Sequence, residues 1–186
     1  ARLKEYHEVF SGNVIAQNRL KGVGFLSRED AINYGVTGPS GRGSGWACDV
    51  RKRSPYAAYD KVQFDEVLYN EGDSYARYMV RMKEIEQSLH ILEQLVDNIP
   101  EGDYLAKTKP IIKVPEGRYF KEVEAARGAF GIYLESRGDK FPYRLKVNSP
   151  GFNLVGAVDH MTRGSKIADL IAIGGSLDYV VPDIDR

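Results

Sequence analysis

Three histidines and one cysteine are the residues from which a metal or nucleophilic centre would be built, and their spacing argues against one. His7, His90 and His160 lie far apart and form no helical ligand pair. His90 falls one step off an apolar helical stripe, which suits a flank or surface histidine. Cys48 follows a basic-flanked loop that would favour a thiolate. No general base is fixed beside it, so an inert packed thiol is expected. One cysteine excludes an internal disulfide framework and any cluster or zinc site ligated by several thiolates.

The segment Gly38-Pro39-Ser40-Gly41-Arg42-Gly43-Ser44-Gly45 has the free backbone N–H groups of a phosphate cradle. A Walker A loop ends in Gly-Lys-Ser/Thr, and a dinucleotide fingerprint sits between a strand and a helix. Ser44-Gly45-Trp46 meets neither condition, so the segment is expected to break regular structure and approach another backbone or a buried partner. Arg42, Arg51, Lys52 and Arg53 mix with Trp46, Tyr56 and Tyr59, as in single-strand nucleic-acid binders. Asp49, Asp60 and Asp65 interrupt or follow them. Arg, Trp and Tyr are equally the favoured anchors of protein interfaces, which makes Arg42, Trp46, Arg51, Tyr56 and Tyr59 interface candidates toward other subunits. Glu84 and Glu86 beside Arg81 and Lys83 read as a solvated face.

Several elements must position these groups. Leu3 to Leu20 has helical spacing interrupted near Gly12. Ser27 and Asp30 resemble a capping box opening a short helix that ends at Gly35. Val62 to Leu68 reads as a strand. The clearest helix covers 73–98, with Asp73 as N-cap and Tyr75, Tyr78, Met79, Met82, Ile85, Leu89, Leu92 and Val96 on one face. Its length suggests a bundle spine with that face in the core. Alternation in Phe130, Ile132 and Leu134, and again in Tyr143, Leu145 and Val147, predicts a β-hairpin over 128–148. Short helices are expected over Phe152 to Asp159 and Lys166 to Ile173. An ordered tail, 174–186, closes the chain; its Asp183, Asp185 and Arg186 would need partners if buried.

Composition narrows the class. Lys and Arg number 26, as do Asp and Glu, so the zero formal charge makes no global case for nucleic acid. The 186 residues suit a single domain that is mainly α with a small β-hairpin element. No uncharged apolar run reaches the roughly 18–20 residues that span a bilayer, and the start lacks a signal peptide's apolar core. A soluble, intracellular chain without its own metal centre is expected.

Read in order, many short motifs resemble the C-terminal half of the D-type subunit of the NADH:quinone oxidoreductases (respiratory complex I), relatives of the nickel–iron hydrogenase large subunit. They are Gly22-Val23-Gly24, Tyr34-Gly35-Val36-Thr37-Gly38-Pro39, Arg42-Gly43-Ser44-Gly45 and Asp49-Val50-Arg51-Lys52 with Pro55-Tyr56 and Tyr59. Gly72-Asp73-Ser74-Tyr75 follows, with Arg77, Arg81, Glu84 and Gln87-Ser88. Glu124-Ala125, Arg127-Gly128, Pro142-Tyr143-Arg144, Phe152-Asn153-Leu154, Gly175-Ser176-Leu177-Asp178 and Asp185-Arg186 complete the series.

The resemblance implies the C-terminal part of a hydrogenase-large-subunit-like helical fold. It implies a peripheral subunit on the cytoplasmic face of the inner membrane (the matrix side in mitochondria) that helps wall a quinone cavity. The expected partners are the B-type iron–sulfur subunit, which carries a 4Fe–4S cluster, the C-type subunit, the H-type membrane subunit, and quinone as the complex's substrate. No cofactor is expected on this chain, and no nucleic acid. Asp178, Val180 and Arg186 are the cavity or supporting residues it implies. Hydrogenase relatives carry paired nickel-binding cysteines where Ser176 to Val181 stand here. The family's quinone-head His and Tyr belong to its N-terminal half, so the 186 residues alone are expected to be inactive. Gly41, Ala129, Gly151 and Pro182 replace the family's usual Leu, Glu, Ser and Gly. Two alternatives remain at this point. One is a homologous subunit of an F420-dependent dehydrogenase or hydrogenase-like membrane complex. The other is a nucleic-acid- or partner-binding module using loop 42–59.

Overall fold

The computed structural model describes residues 2–185. Helix α1 (Arg2–Tyr6) runs into a π-helical turn, His7–Ser11, which stops at Gly12 as the sequence predicts. Asn13 Oδ1 then accepts the N–H groups of Ile15 and Ala16 and starts α2 (Val14–Leu20). In α3 (Arg28–Tyr34), Ser27 Oγ accepts the Asp30 N–H, and Gly35 ends the helix in the left-handed region, where glycine carries no Cβ penalty.

The glycine-rich segment corrects one expectation. It does not break regular structure but forms a short helix, α4 (Gly38–Arg42), begun by the Pro at its first turn. It does approach another backbone. A Cβ on Gly38 (φ +68°) would lie 2.5 Å from Gly128 Cα, so two glycines allow α4 to touch the sheet. The short helix α5 (Val50–Arg53) follows, capped by Asp49.

Val62 to Leu68 is not a strand. Its backbone finds side-chain partners on the long helix instead: Gln63 exchanges two hydrogen bonds with the Gln94 amide, and the Asp65 N–H donates to Gln87 Oε1. That helix, α6 (Ser74–Val96), lies inside the predicted 73–98, and Asp73 Oδ1 accepts the Ala76 N–H at 2.7 Å. Its 23 residues extend about 35 Å. The predicted core stripe is only partly core. Met82 is buried, but Ile85, Leu89, Leu92 and Val96 are exposed, while Ser74, Ala76, Arg77 and Val80 occupy the interior.

The hairpin is part of a larger sheet. β2 (Gly128–Ser136) and β3 (Arg144–Asn148) pair antiparallel as predicted. A third strand, β1 (Gly117–Ala125), pairs with β2 on its other side. Its sequence, Arg118-Tyr119-Phe120-Lys121-Glu122-Val123-Glu124, lacks clean apolar alternation because Glu122 and Glu124 point to arginines rather than to a greasy core.

Four helices close the chain: α7 (Pro150–Gly156), α8 (Val158–Thr162), α9 (Ile167–Leu177) and α10 (Val181–Ile184). α9 runs four residues past the predicted Ile173, through both glycines, so the tail begins only at Asp178. The main core joins Leu26, Ala31 and Val36 to Leu154, Ala157, Met161, Ile173 and Leu177. Full burial of one such leucine contributes about 2 kcal/mol. A smaller cluster, Val62, Phe64 and Ile91, seals the 62–68 segment against α6. The chain is thus mainly α with a small antiparallel sheet.

Candidate functional site

Arg42, at the end of α4, is 1 % exposed and gathers three carboxylates from three elements. Its Nη1 donates to Glu124 Oε1 of β1 at 2.7 Å, its Nη2 stands 2.6 Å from Glu84 Oε1 of α6, and Asp49 Oδ2 is 4.0 Å away. Burial opposes the guanidinium charge, but Glu84, Glu124 and Asp49 more than offset it and raise the Arg42 pKa. Glu124 also accepts the Val50 N–H, and Asp49 takes both Nε and Nη2 of Arg51. Burial likewise opposes the Asp49 carboxylate, but Arg51 and Arg42 hold its pKa below the ordinary value. Glu66 Oε1 accepts the N–H groups of Cys48 and Asp49. One guanidinium thus ties α4, α6 and β1 together. Ala129, where the resembling family usually has Glu, sits directly across from Glu124 in the β1–β2 register. The apolar residue keeps a further negative charge away from this cluster.

A second pair of interior arginines stands along α6. Arg77 is fully buried and among the described residues has no carboxylate partner; it donates to Gly24 O, Gly72 O, Ser74 Oγ and, through Nε, to Ser176 Oγ at 2.9 Å. Burial, aided by Arg81, pushes its pKa down to about 9. These bonds clamp α9 to the start of α6. One turn on, Arg81 donates to Arg77 O, and burial lowers its pKa although Asp178 and Glu84 oppose the shift.

Arg81 and Asp178 both line a cavity of about 480 Å³ between the π-helical turn, α6 and α9. Phe10, Leu20, Tyr78, Ile171, Ala172 and Ser176 complete most of its wall. Asp178 ends α9 with φ +57°, a conformation that aspartate tolerates better than most side chains. Arg127 Nε donates to its carbonyl at 2.6 Å, and Arg127 Nη2 is 3.5 Å from its carboxylate. Tyr78 Oη meets Ser11 Oγ at 2.9 Å, and its ring packs 4.9 Å from that of Phe10. Apolar walls with two opposite charges and three hydroxyl-bearing residues, Ser74, Tyr78 and Ser176, would suit a flat, largely apolar molecule bearing polar oxygens.

Of the predicted site residues, Asp178 faces this cavity. Val180 is half-buried at the start of α10 and outside the cavity lining, and Arg186 lies outside the described residues. The interface candidates do not form one free patch. Arg42 is interior, and Trp46 packs against the main core. Arg51 is held by Asp49 and lies over Tyr59 and Phe64; Tyr56 Oη accepts the Glu124 N–H. The loop's cations and rings are therefore largely engaged with one another. Cys48 is buried, and burial pushes its thiol up to about 12, the inert thiol the sequence predicts.

Glu84 is not on a solvated face; its side chain is 18 % exposed beside Arg42. Arg77, Arg81 and Glu84 were the strongest missed residues. Their spacing of four and then three along α6 was the available signal, since it places three charges on one helix face. Among the described residues no group of three or more His, Cys, Asp or Glu could hold a metal ion. The donor set does not fit an iron–sulfur cluster.

The family described as "Respiratory-chain NADH dehydrogenase, 49 Kd subunit" matches residues 1–113 and 108–186. The chain is 70 % identical over 184 residues to the C/D-type NADH-quinone oxidoreductase subunit of Phocaeicola vulgatus, covering 99 % of this chain and 36 % of that protein. It is 52 % identical to the D-type NADH-quinone oxidoreductase subunit of Desulfotalea psychrophila, over 99 % of this chain and 50 % of the relative. The D-type subunit of Bacillus cereus is 45 % identical over 99 % of this chain and 50 % of its own length. The chain therefore spans about a third to a half of these curated relatives. With a match running from end to end, it belongs to the family of the 49 kDa subunit of respiratory-chain NADH dehydrogenase.

Proposed function

We propose that this chain helps wall the quinone cavity of a proton-translocating NADH:quinone oxidoreductase, as part of a peripheral-arm subunit with a hydrogenase-large-subunit-like fold. The observation that carries the reading is the cavity bounded by Asp178, Arg81 and Tyr78, in a chain of this family. Quinone is the substrate of the assembled enzyme. The electrons come from a 4Fe–4S cluster on the neighbouring B-type iron–sulfur subunit, since one buried cysteine cannot ligate a cluster. The C-type subunit and the H-type membrane subunit are the other proposed partners, and the cytoplasmic face of the membrane is the proposed place of assembly. Among the described residues no helix is long and apolar enough to cross a membrane.

Within the cavity this chain's own groups bind and orient. Arg81 and Asp178 set a local dipole across the wall, and Ile171, Leu20 and Phe10 exclude water from the ring. The Arg77 clamp keeps Ser176 and α9 in register with α6. The test is a thiol placed in the wall. Ala172→Cys in the assembled complex should be labelled by a maleimide, and a short-chain quinone should slow that labelling. Labelling that is indifferent to quinone would reject the reading. The 186 residues alone are proposed to reduce no quinone; turnover by the purified fragment would contradict that.

A further inference from the structure

We propose that the outward face of the β1–β2–β3 sheet seats the remainder of the subunit polypeptide, which brings an apolar surface and one carboxylate that pairs with Lys121. The inference does not depend on the quinone reading. It rests on the family of the chain and on the share of its relatives that it spans.

Strand side chains alternate between faces, so the register divides the sheet in two. Phe120, Glu122 and Glu124 of β1 share one face with Ala129, Gly131 and Tyr133 of β2. The acids of that face are already engaged: Glu124 meets Arg42, Glu122 meets Arg53, and Glu135 stands 4.0 Å from Arg118. The opposite face carries Tyr119 across from Leu134, Lys121 across from Ile132, and Leu145 of β3 beside Leu134. Here Tyr119, Val123, Ile132 and Leu145 are 36 % to 57 % exposed. A small sheet needs its apolar face packed for stability, and a contiguous exposed apolar face marks where another layer sits.

The composition of this face points to a permanent occupant. Among the described residues of the three strands, Lys121 is its only charge. That is the character of a domain core cut in half rather than of a transient contact. The chain spans 50 % of the D-type relative of Desulfotalea psychrophila and 36 % of the C/D-type relative of Phocaeicola vulgatus. A D-type subunit therefore holds about as much polypeptide again. Being tethered, that polypeptide meets the sheet at an effective concentration on the order of millimolar. It is present in both kinds of relative, whereas a C-type portion shares the chain only in the C/D-type.

Lys121 sets the chemistry of the contact. It stands in mid-strand among apolar neighbours, and its ammonium is costly to cover unless a carboxylate meets it. Glu122, Glu124 and Glu135 lie on the other face with arginines of their own. The acid for Lys121 therefore comes from the incoming segment.

Two measurements test this. In the assembled wild-type complex, a zero-length carbodiimide should join Lys121 Nζ to an Asp or Glu of the same polypeptide outside these 186 residues, read by mass spectrometry of the linked peptides. A link to another subunit would overturn the proposal, as would a Lys121 that stays open to amine reagents. A Lys121 that is shielded but unlinked would reject the carboxylate. In the full-length subunit free of its partners, a maleimide should label Leu145→Cys at least about tenfold more slowly than Tyr104→Cys, whose side chain stands in solvent. Labelling at equal rates in the free subunit with protection only in the complex would assign the face to another subunit. Protection that grows with subunit concentration would assign it to a second copy, and equal rates in both states would leave it open; each of these outcomes rejects the proposal.

Discussion

Arg42 Nη2 and Glu84 Oε1 stand 2.6 Å apart in the interior, yet neither Glu84 Oε1 nor Arg42 Nε has a hydrogen-bond partner among the described residues. The contact is an ion pair met off the donor direction. Arg42 serves Glu124 with better geometry, so Glu84 gains less from the shared guanidinium than its burial costs. Burial therefore outweighs Arg42 and Arg51 and raises the Glu84 pKa above the ordinary carboxylate value.

The consequence for stability runs opposite to the usual reading of a buried salt bridge. A carboxyl with a raised folded-state pKa contributes stability below its unfolded pKa and loses it as pH rises through the folded value. Glu84→Gln in the full-length subunit should therefore gain stability relative to wild type between pH 5 and pH 8, and be neutral or stabilising at the upper end. Urea midpoints at both pH values measure it. A loss of more than about 2 kcal/mol at pH 8 would mean that the ion pair outweighs desolvation after all.

Asp49 carries the opposite sign. Its folded-state pKa is lowered, because Arg51 and Arg42 offset the burial. Its stability is present above the ordinary Asp value and is lost as pH falls through the folded one. Asp49→Asn should cost about 3 kcal/mol at neutral pH by leaving Arg51 unpaired in a half-buried place. The cost should shrink on acidification below about pH 4. A penalty that stays constant from pH 7 to pH 3 would assign the loss to shape rather than charge.

Much of the secondary structure was legible because its signals are local. Ser27, Gly35, Asp73 and the alternation in β2 and β3 act within a few residues, and each element lies where its signal puts it. The errors come from partners distant in sequence. Val62 to Leu68 has a strand's composition, but Gln87 and Gln94 of α6 bond its backbone where a neighbouring strand would. β1 was hidden because Glu122 and Glu124 reach Arg53 and Arg42 across more than sixty residues of chain. The same distance concealed the site. Asp178 was reachable through family motifs, but the Arg42 hub exists only once α4, α6 and β1 are folded together.

Cys48 offers a direct probe of that interior. The thiol is buried, and its pKa is pushed up to about 12 by burial, against the partly opposing charge of Arg42. The thiolate is the reacting species, so a neutral maleimide should modify native Cys48 at a rate set by unfolding, and modification should become complete in denaturant. Rapid labelling of the folded subunit at pH 7 would show that α4 opens locally and that the Arg42 hub does not hold it shut.

Asp178 separates backbone geometry from charge. It sits at φ +57°, and Arg127 Nε holds its carbonyl, not its carboxylate, as the shorter contact at 2.6 Å. Asparagine tolerates the left-handed region and keeps that carbonyl bond, whereas alanine pays a Cβ penalty of about 1 kcal/mol there. Asp178→Asn should therefore leave the complex assembled and α9 properly ended while removing the negative charge that faces Arg81 in the cavity. If the charge orients quinone, Asp178→Asn and Asp178→Ala should both lower kcat/KM by about tenfold, and only Asp178→Ala should also lower thermal stability. If Asp178→Asn turns over quinone as wild type does and Asp178→Ala does not, the residue acts through the turn it makes. The carboxylate would then have no part in holding the substrate.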